Sequence, residues 1–150
     1  MKLSELIELE EGFRESVYLC TSGYPTIGLG TKIGPKGSDL SNYTFMVNRA
    51  IAEAMMQKEL AHAEVKLAEC DWFLGLDLER SKIIMSMCYQ MGVSGVFKFK
   101  NMIAAIERKD WARASREALD SKWARQTPER AERHAQVLLT GDFDSVKYYR

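Results

Sequence analysis

The chain has 150 residues, 46% of them hydrophobic and 28% charged, with a formal net charge of zero. That length suits one domain able to bury roughly 70% of its unfolded surface, and the balance of apolar and charged residues excludes disorder. No apolar run approaches the ~20 residues of a membrane span.

The first twelve residues, MKLSELIELEEG, alternate apolar and acidic groups at helical spacing and read as neither a signal peptide nor an anchor. Leu3, Leu6, Ile7 and Glu10 predict a first amphipathic helix capped by Ser4 and stopped at Gly12. Two strands are expected next, over residues 16–20 and 25–29, with Thr21, Ser22 and Gly23 supplying the turn. Residues 28–42, rich in Gly with Pro35 and Asp39, read as loop or edge. An uninterrupted run over residues 44–69 predicts a helix of about 20–25 residues, ~30–38 Å long, with Phe45, Ile51, Met55 and Leu60 on its apolar stripe. Two shorter helices are the alternative for that run.

Residues 78–91 predict a helix apolar on most faces and therefore central to the core, punctuated by Gly92 and Gly95. Further helices are expected over 102–107, 111–119, 121–124 and 128–139. Thr127 is the expected cap of the last, with Pro128 at its first position. The fold class is α+β, mainly helical. A small β lobe (12–43) is followed by a long connecting helix (44–70), and residues 71–150 join 1–11 in a helical lobe.

Cys20, Cys70 and Cys88 are odd in number and widely spaced, which favours reduced thiols and a cytosolic site of synthesis over a disulfide framework. A zinc site on His62 and His134 lacks metal-ligand spacing, so no metal and no cofactor is expected. The halves differ in charge: residues 1–75 hold 7 basic and 11 acidic groups (net −4), residues 76–150 hold 14 and 10 (net +4). Solvated helix faces explain this as well as a basic lobe facing an anionic polymer does.

Glu11, Cys20 and Thr26 fall close together on elements that fold back on each other. A carboxyl at a helix C-terminus, with Glu10 and Glu8 adjacent, is disfavoured as an anion, which suits a general acid. Taken singly, each residue has a plain reading as well: a solvated acid, a small buried thiol, a good strand former. Together, acid, thiol and hydroxyl can flank a bound water.

The spacing Glu-x8-Cys-x5-Thr resembles the signature of the T-even-type phage lysozymes, muramidases of glycoside hydrolase family twenty-four. ELEEGFRESVYLCTSGYPTIGLG around the triad, YQMGVSGVFKF in the middle, and SKWARQTPERAERH with TGDFDSV near the end agree in register with that family. The resemblance implies a two-lobed fold that hydrolyses the β-1,4 bond between N-acetylmuramic acid and N-acetylglucosamine. Glu11 would protonate the leaving oxygen and Thr26 would hold the water. Cys20, where members usually carry Asp, would orient or activate that water, with inversion. The thiol is expected to be mostly neutral, and raised further by a neighbouring Glu unless an Arg lies close.

Saccharide contacts carry over onto Lys32, Tyr89, Met102 and Glu117, while Gln90 and Met91 match outright. Arg130 and Arg133 match arginines that support the acids Glu10 and Glu11. Thr31 stands where better-known members have His, so their buried His–Asp pair is expected to be missing. The stretch after Gly30 is shorter than theirs, which predicts a trimmed β lobe, and Trp123 is expected in the core.

The resemblance implies peptidoglycan as partner, without nucleic acid or stable membrane association, and a monomer. A phage endolysin would stay in the host cytoplasm until a holin-type protein opens a route to the wall, then act in the periplasm. The alternatives are a lysozyme used at virion entry, a transglycosylase on the same scaffold, and a catalytically silent wall-binding or interaction module.

Overall fold

The computed structural model describes residues 1–150 and is mainly helical with one small antiparallel sheet, the α+β class expected. The chain divides into two compact units, Lys2–His62 and Met1 with Ala63–Arg150, and the division falls within one helix. Residues 1–11, assigned by sequence to the helical lobe, instead group almost wholly with the sheet.

In the first unit, α1 (Leu3–Glu11) starts one residue before the expected cap. Ser4 lies inside the first turn, and Glu5 reaches back to accept from the Lys2 amide at 2.9 Å. Gly12, at φ +73°, closes the helix as predicted, its amide donating to Glu8 O at 2.8 Å. Strands β1 (Arg14–Leu19), β2 (Pro25–Gly28) and β3 (Thr31–Lys32) follow in sheet order β1-β2-β3. The third strand falls in the stretch read as loop or edge, paired through Thr26↔Lys32 and Ile27↔Thr31.

The central strand β2 is buried at all four residues. Gly28, at φ +67°, shows why: a Cβ there would come within 2.9 Å of the Ala52 methyl, so helix and sheet meet backbone to backbone. That helix, α2 (Arg49–Leu67), begins later than the expected residue 44. Met46 forms a β-bridge with Ser16, which keeps the preceding stretch extended, and the Asn48 side chain accepts from the Ile51 amide at 2.9 Å. The buried stripe is Ala52, Met56, Leu60, Ala63 and Leu67, whereas Ile51 is 48% exposed and Phe45 is exposed too. Leu60 is buried as expected, while the close approach at Gly28 puts Ala52 rather than Ile51 on the buried face.

In the second unit a short α3 (Asp71–Leu74) leads into α4 (Leu78–Met91), whose residues Ile83, Ile84, Met85, Ser86, Met87 and Cys88 are all buried, the central helix expected. Then come α5 (Val93–Phe97), α6 (Lys100–Glu107), α7 (Trp111–Leu119), α8 (Lys122–Gln126) and α9 (Pro128–Thr140). Helix α7 packs on α6 and α9, and α4 packs on α5 and α9. Thr127 does not cap α9 with its side chain; its hydroxyl donates back to Trp123 O at 3.0 Å. Pro128 starts that helix as read, and the left-handed Gly141 (φ +71°) ends it. Trp123 is buried, its indole N–H given to Gln90 Oε1 at 2.7 Å. No helix is long and apolar enough to cross a membrane.

Candidate active site

The Lys2–His62 unit brings Glu11, Cys20, Thr26 and Lys32 together. Glu11 is the last residue of α1, and its side chain lies against the backbone of Gly30: a Cβ on that glycine would meet Oε2 at 2.7 Å and Cδ at 2.9 Å. Only a residue without a side chain, and one that accepts φ +86°, leaves the carboxyl this seat.

Opposite residues in an antiparallel sheet share a face, so Tyr18, Thr26 and Lys32 form one row across the three strands. Thr26 is 2% exposed, and its hydroxyl donates to Tyr24 O at 2.8 Å. Cys20 follows β1 in a tight turn, its amide donating to Tyr24 O at 3.0 Å and its carbonyl accepting from Gly23 N at 2.8 Å.

Burial pushes the Cys20 thiol up, but hydrogen bonds from the Tyr24 and Ser22 amides and the Thr26 hydroxyl, with the Lys32 ammonium, outweigh it and hold the thiol below the ordinary cysteine value. The expectation of a raised thiol is therefore reversed, first by the Tyr24 and Ser22 amides, and the cation that adds to them is a lysine. Thr26 has one hydroxyl hydrogen, which goes to Tyr24 O while Cys20 is protonated and can turn to the sulfur when it ionises.

Tyr18 is a residue of this site that the sequence did not single out. Its phenol is raised by burial first, then by Glu11, with Arg14 opposing and Cys20 adding to the rise, so carboxylate and sulfur both act on one ring. The Arg14 guanidinium sits 4.6 Å from the centre of that ring, and Lys32 Nζ lies 4.8 Å from the ring of Tyr24. The available signal was Tyr18 standing two residues before Cys20, at the end of the strand that leads into it. On α1, Glu8 pairs with Arg49 at 2.7 Å.

The remaining sequence-derived positions lie in the second unit. Tyr89 and Gln90 are half-buried at the end of α4, and Glu117 accepts from Arg113 Nε at 2.8 Å. Met102 is 1% exposed and belongs to the core of α6. Arg130 is buried, its Nη2 donating to Ser86 Oγ at 3.0 Å, and the Arg133 guanidinium stacks 4.5 Å from the Tyr148 ring. No group of three or more His, Cys, Asp or Glu side chains is placed to hold a metal ion.

A family model described as phage lysozyme matches residues 8–138. The chain is 30% identical to the pre-baseplate central spike protein Gp5 of Enterobacteria phage T4, over 97% of this chain but only 29% of the spike protein's length. It is also 30% identical to probable T4-type lysozyme 1 of Dictyostelium discoideum, covering 97% of this chain and 98% of that protein. Probable T4-type lysozyme 2 of the same organism is 28% identical over 97% of the chain and 98% of that relative.

Proposed function

The chain belongs to the phage lysozyme family, and from that premise we propose that it hydrolyses the β-1,4 bond between N-acetylmuramic acid and N-acetylglucosamine in peptidoglycan, with inversion. The observation that carries this reading is the seating of one carboxyl, one ionisable thiol and one hydroxyl on a single compact unit.

Glu11 gives its proton to the glycosidic oxygen as the bond to the anomeric carbon breaks. A water held by Thr26 gives a proton to the Cys20 thiolate and bonds to that carbon from the opposite face. The lowered Cys20 supports a base role, since the donors around it favour the anion that accepts the proton. The same lowering makes the thiolate a weaker base, so the water must be well oriented. By the family resemblance Lys32, Tyr89, Gln90 and Glu117 are assigned to the sugar chain and Glu10, Arg130 and Arg133 to the charges that support the acid, whereas Met102, buried in the core of α6, is withdrawn from the sugar contacts.

The protein is read as a monomeric phage lysin, held in the host cytoplasm until a holin-type protein gives access to the wall. The likeness to a spike protein over nearly the whole chain favours a second deployment, the same hydrolysis carried by a virion component. Detection of the chain in purified virions separates the two.

The decisive experiment incubates purified protein with peptidoglycan and identifies the ends and anomers released. Reducing muramic acid ends in the inverted configuration support the reading. Anhydro-muramic ends indicate a transglycosylase, retained configuration removes the inverting step, and intact glycan leaves only a binding module. Glu11→Gln should lower kcat by about 10²–10⁴; near-normal activity would remove it as the acid.

A further inference from the structure

Of a buried polar cluster in the second unit, the reaction above uses Arg130 alone. Ser86 interrupts the apolar run Ile83–Cys88 on α4, and His134 is fully buried in the middle of α9. A buried hydroxyl or imidazole is costly unless hydrogen-bonded, and both are bonded here. Arg130 Nη2 donates to Ser86 Oγ at 3.0 Å and to Ser86 O at 3.3 Å. Ser86 Oγ lies 2.8 Å from His134 Nε2, and His134 Nδ1 lies 3.1 Å from the Tyr149 hydroxyl.

The direction of the Arg130 bond is fixed by chemistry, and the tautomer of His134 sets the other two. A guanidinium only donates, so Ser86 Oγ accepts from Arg130 and its own hydrogen is free for Nε2. With the serine hydrogen given to Nε2, the neutral imidazole is the Nδ1–H tautomer, which donates to the Tyr149 oxygen; the relay takes this tautomer. Burial holds His134 well below the ordinary histidine range, and the Arg130 and Arg133 charges push the same way. The Trp123 ring is 5.9 Å from the imidazole, but its N–H is committed to Gln90. Tyr149 is in turn fixed by edge contacts with Phe143 and Tyr148, ring centres 5.4 and 5.6 Å away.

We propose that Ser86, His134 and Tyr149 are positioning residues that aim the Arg130 guanidinium, through a one-way hydrogen-bond relay running from Arg130 on α9, across Ser86 on α4, to the C-terminal turn. The α4–α9 packing and the last residues of the chain thus set the orientation of a single buried cation. Its consequence for catalysis rests on the hydrolase reading; its geometry does not.

The test compares His134→Leu, His134→Gln, Ser86→Ala and Tyr149→Phe in the full chain. Steady-state kinetics on peptidoglycan, thermal melts and NMR of the Arg130 Nη protons are read on each. His134→Leu fills the space without an acceptor and should lower kcat about tenfold with KM nearly unchanged. His134→Gln, whose amide oxygen can still accept from Ser86, should restore most of that loss even where the melting temperature does not recover. In the wild type the Arg130 Nη protons should exchange slowly, and in Ser86→Ala and His134→Leu they should collapse into fast exchange. Equal losses of melting temperature with kcat unchanged would mean a merely structural cluster and overturn the proposal. Tyr149→Phe, at the far end and mildest for folding, should loosen the same resonances; unaltered Arg130 exchange in all variants would also overturn it. If the wild type cleaves no peptidoglycan, the hydrolase reading fails, and the guanidinium resonances alone decide the relay.

Discussion

Gly30→Ala tests the seat of Glu11. The added Cβ would stand 2.7 Å from Oε2, 2.9 Å from Cδ and 3.0 Å from Cβ of Glu11, so the whole carboxyl must move rather than one flexible end. A non-glycine residue at φ +86° costs about 1–2 kcal/mol, and forced displacement of a packed neighbour costs about 1–3 kcal/mol. The two overlap, since backbone movement relieves both, and about 2–4 kcal/mol is expected in all. For a chain of this size that lowers the melting temperature by roughly 5–15 °C. A carboxyl displaced by about 1 Å from its working position should cost about 10²-fold in kcat. The assay is a double-mutant cycle on peptidoglycan hydrolysis with Glu11→Gln, run well below the melting temperature of every variant. If the alanine acts through the carboxyl, the double variant is no slower than Glu11→Gln alone. Fully additive losses, or a Gly30→Ala protein with normal kcat, would refute the reasoning.

Three other outcomes follow from the same structure. Iodoacetamide at pH 8 should modify Cys20 first and leave Cys88 untouched, because burial, with Cys70 adding, pushes that thiol up to about 12; Lys32→Ala and Thr26→Val should each slow Cys20 by removing a group that favours its anion, as a pH–rate series will show. Thr31 Oγ1 is buried without a hydrogen-bond partner, so the isosteric Thr31→Val should stabilise the protein by about 1 kcal/mol in urea unfolding, and a loss would reveal a hidden partner. His134 is depressed in the folded state, so below pH ~6.5 the unfolded chain binds a proton that the folded chain refuses; stability should fall with acidification by up to about 1.4 kcal/mol per pH unit, a component that His134→Gln removes.

Local chemistry made much of this protein legible in one dimension. Gly12 and Gly141 end helices because a left-handed or open φ is cheap only for glycine, and Pro128 starts one because its missing N–H goes unused in a first turn. The buried run in α4 was readable because that helix is apolar on most faces, and Glu11, Cys20 and Thr26 were found by their spacing. Contacts distant in sequence were not readable. The α2 stripe is set by Ala52 meeting Gly28, a steric fact invisible to a ranking by hydrophobicity, and the helix start is set by the Met46 bridge to Ser16. Sequence determined which residues could carry the chemistry and in which order they arrive. Only the tertiary structure decided how each is tuned: Cys20 lowered by amides, a hydroxyl and Lys32, Glu11 seated on Gly30, and Arg130 held by Ser86. Hydrogen bonds and charge act through space over a few ångströms, and the fold alone sets those distances.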